Sequence, residues 1–186
     1  MERRQFLKAA GCAGLCSCTV ASLFASDTAA TAEPAAAKED WRIAFAKQRY
    51  SKLLTLVAAK VDADTFRQIV QDVGAFCSES GFSSKFAGNL EGYLAELQKR
   101  WGAQTAYEPA SQTAQVAFQP ETRDCACPLM GKGLVPAAAC HCSVGAMQHS
   151  FAVVMGQPVT VELRESLLQG GQRCAFAIRP RTAAAT

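Results

Sequence analysis

The chain has 186 residues, a formal net charge of +3, 49% hydrophobic and 19% charged side chains, and nine cysteines. That length builds one domain with a real core rather than several. The near-neutral balance, with no basic run and no aromatic-interleaved basic patch, gives no reason to expect nucleic acid or a membrane surface as a partner.

The N-terminus reads as an address rather than as part of the fold. Glu2-Arg3-Arg4-Gln5-Phe6-Leu7-Lys8 resembles a twin-arginine export signal, matching its Arg-Arg-x-Phe-Leu-Lys core. A weakly apolar run follows over 9–25, and Ala30-Thr31-Ala32 offers a small-x-small cleavage site. The run is shorter than the ~20 apolar residues of a membrane span, and a lipoprotein reading through Cys12 would leave almost no apolar stretch before that cysteine. The expected processing is a signal over 1–32, a disordered leader over 33–38, one domain over 39–180 and a tail over 181–186. The resemblance implies export to the periplasm or beyond, the twin-arginine translocase as the transit partner, and no membrane association afterwards. Three basic and two acidic side chains leave with residues 1–32, so the mature chain would carry +2.

From Glu39 a helix is predicted, with Ile43, Ala46, Tyr50, Leu53, Leu54, Val57 and Val61 at helical spacing. Asp62 or Asp64 can cap a second helix in which Phe66, Ile69, Val70, Val73 and Cys77 share a face, so Cys77 is expected as a buried core thiol. After a loop over 81–88, Asn89 caps a third helix carrying Leu90, Tyr93, Leu94, Leu97 and Trp101. Lys99 and Arg100 suit its last turn and Gly102 its C-cap; Tyr93 and Trp101 read as core anchors. The period then changes. Ala114, Val116 and Phe118 alternate with polar residues as a half-buried strand. A fourth helix is expected around Ser143, with Val144, Met147, Phe151, Val154 and Met155 apolar and Gly156 after it. Pro158 opens a strand with Val159, Val161 and Leu163 on one face. Gly170-Gly171 turns the chain, and Cys174, Phe176 and Ile178 alternate on the return strand, which points the Cys174 sulfur inward. The fold class is α+β: N-terminal helices packed on a small antiparallel sheet with a C-terminal β-hairpin.

Residues 124–145 carry the chemistry. They hold two Cys-x-Cys pairs, Cys125/Cys127 and Cys140/Cys142, with His141 inside the second. A tetrahedral soft metal needs three or four donors, at about 2.3 Å for zinc and sulfur. Two such pairs brought together by the connector 128–139, with Cys174 as a fifth sulfur, meet that need. The expected metal ligands are therefore Cys125, Cys127, Cys140, Cys142 and Cys174, with zinc as the cofactor and an iron–sulfur cluster as the alternative. A position beside a helix N-terminus would favour thiolate at Cys140 and Cys142. Without Cys12, Cys16 and Cys18, six cysteines remain, and in an oxidising compartment an even count also suits disulfides between the pairs, with Cys77 and Cys174 joined or not. A dithiol redox site lacks its Cys-x-x-Cys spacing. His141 is a ligand or a solvent-facing loop residue, while His149 lies about two turns beyond Cys142, on the order of 10 Å, too far to share its ion. Gly131-Lys132-Gly133 lacks the phosphate-loop spacing, and Cys142-Ser143-Val144-Gly145 is only half a nucleophile elbow.

The succession over 125–180 of cysteine-rich loop, helix, strand and Gly-Gly-Gln-Arg-Cys174-Ala-Phe176-Ala-Ile178 is similar to the C-terminal half of the four-vinyl reductase domain family. It also resembles the related L-2-amino-thiazoline-4-carboxylic acid hydrolase family. The resemblance covers roughly a third of the chain, and pairs Cys174 with the family's terminal cysteine and Cys127 and Cys142 with its upstream ones. It implies a small α+β ligand-binding domain with a metal-associated pocket, related in fold to haem-based nitric oxide sensors. It transfers no catalytic residue. Three functions stay open: a metal-organised binding or sensing domain, a hydrolase in which a metal-bound water or a thiolate attacks a cyclic amidine, and a disulfide-stapled binding module.

Overall fold

The structure, a computed structural model, describes residues 40–119 and 125–181. The expected signal and leader therefore lie outside the described residues, as does the tail beyond Arg181. The described residues belong to a compact unit that begins at Glu39.

Four helices form where the apolar period and the caps agree. Helix α1 spans Trp41–Ala58 and opens on Asp40, whose carboxylate accepts from the Arg42 N–H at 3.0 Å. Helix α2 spans Ala63–Glu79, and Asp62 caps it by accepting from the N–H groups of Asp64 and Thr65. Helix α3 spans Leu90–Trp101; Asn89 accepts from the Gly92 N–H at 2.9 Å, and Gly102 ends the helix in the left-handed region at φ 60°. Such side chains supply partners for the first-turn amides that have none inside the helix. Helix α4, His141–Met155, starts two residues before the expected point, directly out of a 3-10 turn over Ala137–Cys140.

Strands β1 (Gln104–Glu108), β2 (Thr113–Phe118), β3 (Val159–Glu165) and β4 (Cys174–Pro180) form an antiparallel sheet in the order β1-β2-β4-β3. Its register pairs Ala114 with Ile178, Val116 with Phe176 and Phe118 with Cys174 across β2 and β4. Period two then puts Ala114, Val116, Phe176 and Ile178 on one face, where they meet Val144, Phe151 and Val154 of α4 and Tyr93, Leu94 and Leu97 of α3. Cys174 packs at the edge of this core, inward as its alternation implies. β1 carries no alternation to announce it. A main-chain bond from Arg181 N–H to Pro158 O at 2.9 Å continues past the end of β4.

A second, smaller core lies between α1, α2 and the cysteine-bearing segment, built from Leu54, Phe66, Val70, Met130, Val135 and Ala139. Three expectations change. Leu54 is the one buried side chain of α1 among the described residues, with Tyr50, Val57 and Ala58 half-buried beside it, while Ile43 and Leu53 are exposed. Cys77 is exposed rather than buried, because α2 turns Phe66, Val70 and Gly74 inward, and that face drifts away from Cys77 by the last turn. Trp101 is also largely exposed. It sits edge-on to Phe82 and Phe118 at the rim of the main core, whereas Tyr93 is buried as expected.

A candidate thiolate site at the start of α4

Two glycines let α2 and α4 touch backbone to backbone. A Cβ on Gly74 would stand 1.8 Å from the Cys142 carbonyl oxygen, and one on Gly145 would stand 1.9 Å from that of Gln71. Only residues without side chains permit this approach. It lays the first turn of α4, with Cys142 as its second residue, against the last two turns of α2, where Cys77 follows Gly74 by three positions. The other pair arrives on a tight turn. The Met130 N–H donates to Cys127 O at 3.1 Å, and the Met130 side chain is buried in the second core, which anchors Cys125 and Cys127 against the same cluster as Cys142. Tyr50 of α1 closes the space.

These groups act on one another. Burial first, and then Cys77, Cys127 and Cys125, push the Cys142 thiol up to about 12. The Tyr50 hydroxyl is likewise raised to about 12, by burial first and then by Cys142, Cys127 and Cys77. Three sulfurs and a phenol thus pack half-buried on the smaller core, with Cys77 exposed nearby. The expected thiolate at the head of α4 is not what the metal-free site favours, because desolvation and three neighbouring sulfurs outweigh the helix dipole. Among the described residues, no three His, Cys, Asp or Glu side chains stand close enough together to hold an ion.

Cys140 and Cys174 stand apart from this group. Cys140 ends the 3-10 turn on the other side of the chain, is buried, and accepts a hydrogen bond from Gln169 Nε2 at 3.1 Å. Its thiol is raised by burial, lowered by the nearby Ser166 hydroxyl and raised again by Cys174. Ser166 Oγ is itself buried with no well-aligned partner, so its hydroxyl is free to turn toward the Cys140 sulfur. Cys174 is raised by burial and held back by the Leu167 main-chain N–H. Both thiols therefore flank the 3-10 turn Leu167–Gln169. Of the five sulfurs expected at one ion, Cys125, Cys127 and Cys142 pack against the smaller core and Cys174 against the larger, while Cys140 lies buried beside Gln169.

The histidines take different places. His141 has a half-buried ring with Nδ1 unpartnered; burial and then Arg67, rather than any thiol, depress its pKa. His149 Nδ1 is bonded to Ser78 Oγ at 2.7 Å across the α2–α4 crossing. An open groove of about 860 Å³ runs along the same crossing, lined by Gln68, Asp72, His149, Gln157 and Arg181 among others, and no cysteine reaches it.

No protein-family model and no curated protein matches this chain. It does share a fold with a solved structure. The crystal structure of a trafficking protein particle complex subunit 3 from Naegleria fowleri, covalently bound to palmitic acid, superposes with a TM-score of 0.50 at 14% sequence identity. The match covers 78% of this chain and 99% of that one. At that identity the likeness is one of architecture.

The Cys-x-Cys spacing singled out Cys125, Cys127 and Cys142, whereas helical period assigned Cys77 and Tyr50 to helix faces in the core. The usable signal was Gly74 three residues before Cys77 together with Gly145 three after Cys142. A glycine inside each of two helices marks a place where another backbone passes close.

Proposed function

We propose that this chain is an exported thiolate metal-binding domain whose ligands are Cys77, Cys125, Cys127 and Cys142, with zinc as the first ion and an iron–sulfur cluster as the alternative. The observation that carries the reading is that Cys125, Cys127 and Cys142 pack against one small core, with exposed Cys77 on the last turns of α2 beside the glycine crossing. The donor set fits. Four sulfurs are the number and softness that a tetrahedral zinc site requires, and thiols are deprotonated outright by a bound divalent ion even where burial alone opposes it. Loading asks the Cys125–Cys127 turn to close on Cys142 and Cys77, two cysteines already held by the glycine crossing. A bound ion would cross-link α2, α4 and the turn, and supply folding energy that the small second core does not. Transport in the folded state through the twin-arginine translocase would carry the ion with the protein to the periplasm.

The neighbouring pair Cys140 and Cys174 favours the disulfide reading for those two residues alone. Both flank the 3-10 turn Leu167–Gln169, and an oxidising compartment would join them there.

One experiment addresses both. Full-length protein purified from cytosol is assayed for zinc and iron, and its thiols are counted before and after chelation. The expected outcome is near-stoichiometric metal that falls at least about tenfold in Cys142→Ser and Cys77→Ser, as loss of one ligand from a tetrathiolate site requires, but persists in Cys174→Ser. Metal-free wild-type protein, or equal loss in Cys174→Ser, overturns the four-sulfur site. After oxidation of the loaded protein, the peptide map should link Cys140 to Cys174; any other linkage removes the second reading.

A further inference from the structure

Helix α1 makes little use of its apolar residues inside the domain. Its buried edge runs through Tyr50, Leu54 and Val57, and the opposite face carries Trp41, Phe45, Arg49, Lys52 and Leu56 at spacings of three and four, a single continuous stripe. Arg42 and Leu53 flank it. Trp41 is 69% exposed, Leu53 56%, Phe45 49% and Leu56 47%. The Arg42 guanidinium lies 5.8 Å from the Trp41 ring and that of Arg49 lies 5.3 Å from Phe45, so cations and rings share one surface. No residue of α1 is acidic, and Asp40 just ahead of it is committed to the Arg42 N–H.

We infer that this face of α1 docks on an anionic phospholipid surface. Each feature matches what an interfacial helix needs: tryptophan, phenylalanine and leucine to enter the headgroup boundary, and arginine and lysine beside them to meet lipid phosphates. A second copy of the chain fits the face poorly, since symmetric packing would set Arg42, Arg49 and Lys52 against their equivalents. A neutral protein groove would leave those cations desolvated and unpaired. The attachment is peripheral, because no described helix is long and apolar enough to cross a membrane. It is independent of the thiol site, whose groups lie along the buried edge of α1.

The test uses the full chain carrying Trp101→Phe, which leaves Trp41 as the only indole. The expected result on vesicles containing phosphatidylglycerol is co-sedimentation with a blue shift of Trp41 emission, both lost in high salt and both weak on phosphatidylcholine alone. Replacing Arg49 and Lys52 by Gln should weaken binding about 30-fold, at the usual contribution of each basic residue near an anionic surface. Both side chains are exposed, so the melting curve of that variant should match its parent. Binding that ignores the two substitutions would assign the membrane to the apolar run over 9–25 and overturn the inference. So would an absence of vesicle binding accompanied by self-association that Trp41→Ala and Phe45→Ala abolish, which would make the face an interface between copies.

Discussion

Cys142 is the residue on which the thiol chemistry turns, and its titration has a definite sign. In the metal-free protein its pKa rises from the ordinary 9.0 to about 12, and that of Tyr50 rises from 10.0 to about 12. A raised value means that the folded state favours the protonated form. The contribution to stability is therefore complete below about pH 9 and is lost as pH climbs from 9 toward 12. Melting of chelated protein across that window should show a steep alkaline fall, shallower in Cys142→Ser. Loaded protein should behave in the opposite sense: the metal holds thiolates, and its stabilisation is lost on acidification. A melting profile that stays flat from pH 9 to 12 in chelated protein would remove the burial argument. At this scale the sequence announced the doublets but not their sorting. Cys140 and Cys142 are two residues apart, yet the junction of 3-10 turn and α-helix sends one sulfur to Gln169 and the other to the smaller core. Spacing along the chain carries no trace of that divergence. Cys77 was misplaced for a related reason, since helical period tells which residues share a stripe but not where the packing partner ends.

Among the elements, the α2–α4 crossing has the least tolerance. Gly145→Ala would drive a Cβ into the Gln71 carbonyl and force the helices apart. Overpacking of this kind costs about 1–3 kcal/mol or more, which in a chain of this size lowers the melting temperature by roughly 5 °C or more. The same variant should let Cys142 react faster with an alkylating reagent, because parting the helices opens the wall behind it. Gly88→Ala, where a Cβ meets nothing but the backbone sits at φ 75°, provides a comparison in which the melting temperature falls through local strain and Cys142 stays protected. Helices α1 to α4 and strands β2, β3 and β4 were legible because each buries one face, so its period is written in apolar residues. β1 was not, since it is an edge strand with four of its five residues exposed and nothing to alternate. For α1 the stripe through Tyr50, Leu54, Val57 and Val61 packs as its period implies, but Ile43 lies on that face near the N-terminal end and is exposed, and Leu53 at its edge is exposed too.

For the molecule as a whole, the two cores are unequal. The larger joins α3, α4 and the sheet, whereas the smaller holds α1 chiefly through Leu54. Opening should therefore begin at α1. Amides of α1 are expected to exchange with solvent well ahead of those in α4 and β4, and Leu54→Ala, a loss of about 2–5 kcal/mol at a buried leucine, should release α1 while near-ultraviolet signals from the sheet side persist. Uniform exchange across α1 and α4 would show a single cooperative unit instead. Vesicles or zinc should each slow exchange in α1 if the readings above hold, the first through its outer face and the second through Tyr50.

The strand order has a further consequence. β4 sits between β2 and β3, so the last of the four described strands in chain order is an interior one. Until residue 180 has left the ribosome, the β1–β2 hairpin offers an unsatisfied edge and β3 has no neighbour at all. From Phe118 to Pro180, about the last third of the chain, synthesis thus proceeds with open strand edges, when pairing with another chain competes with folding.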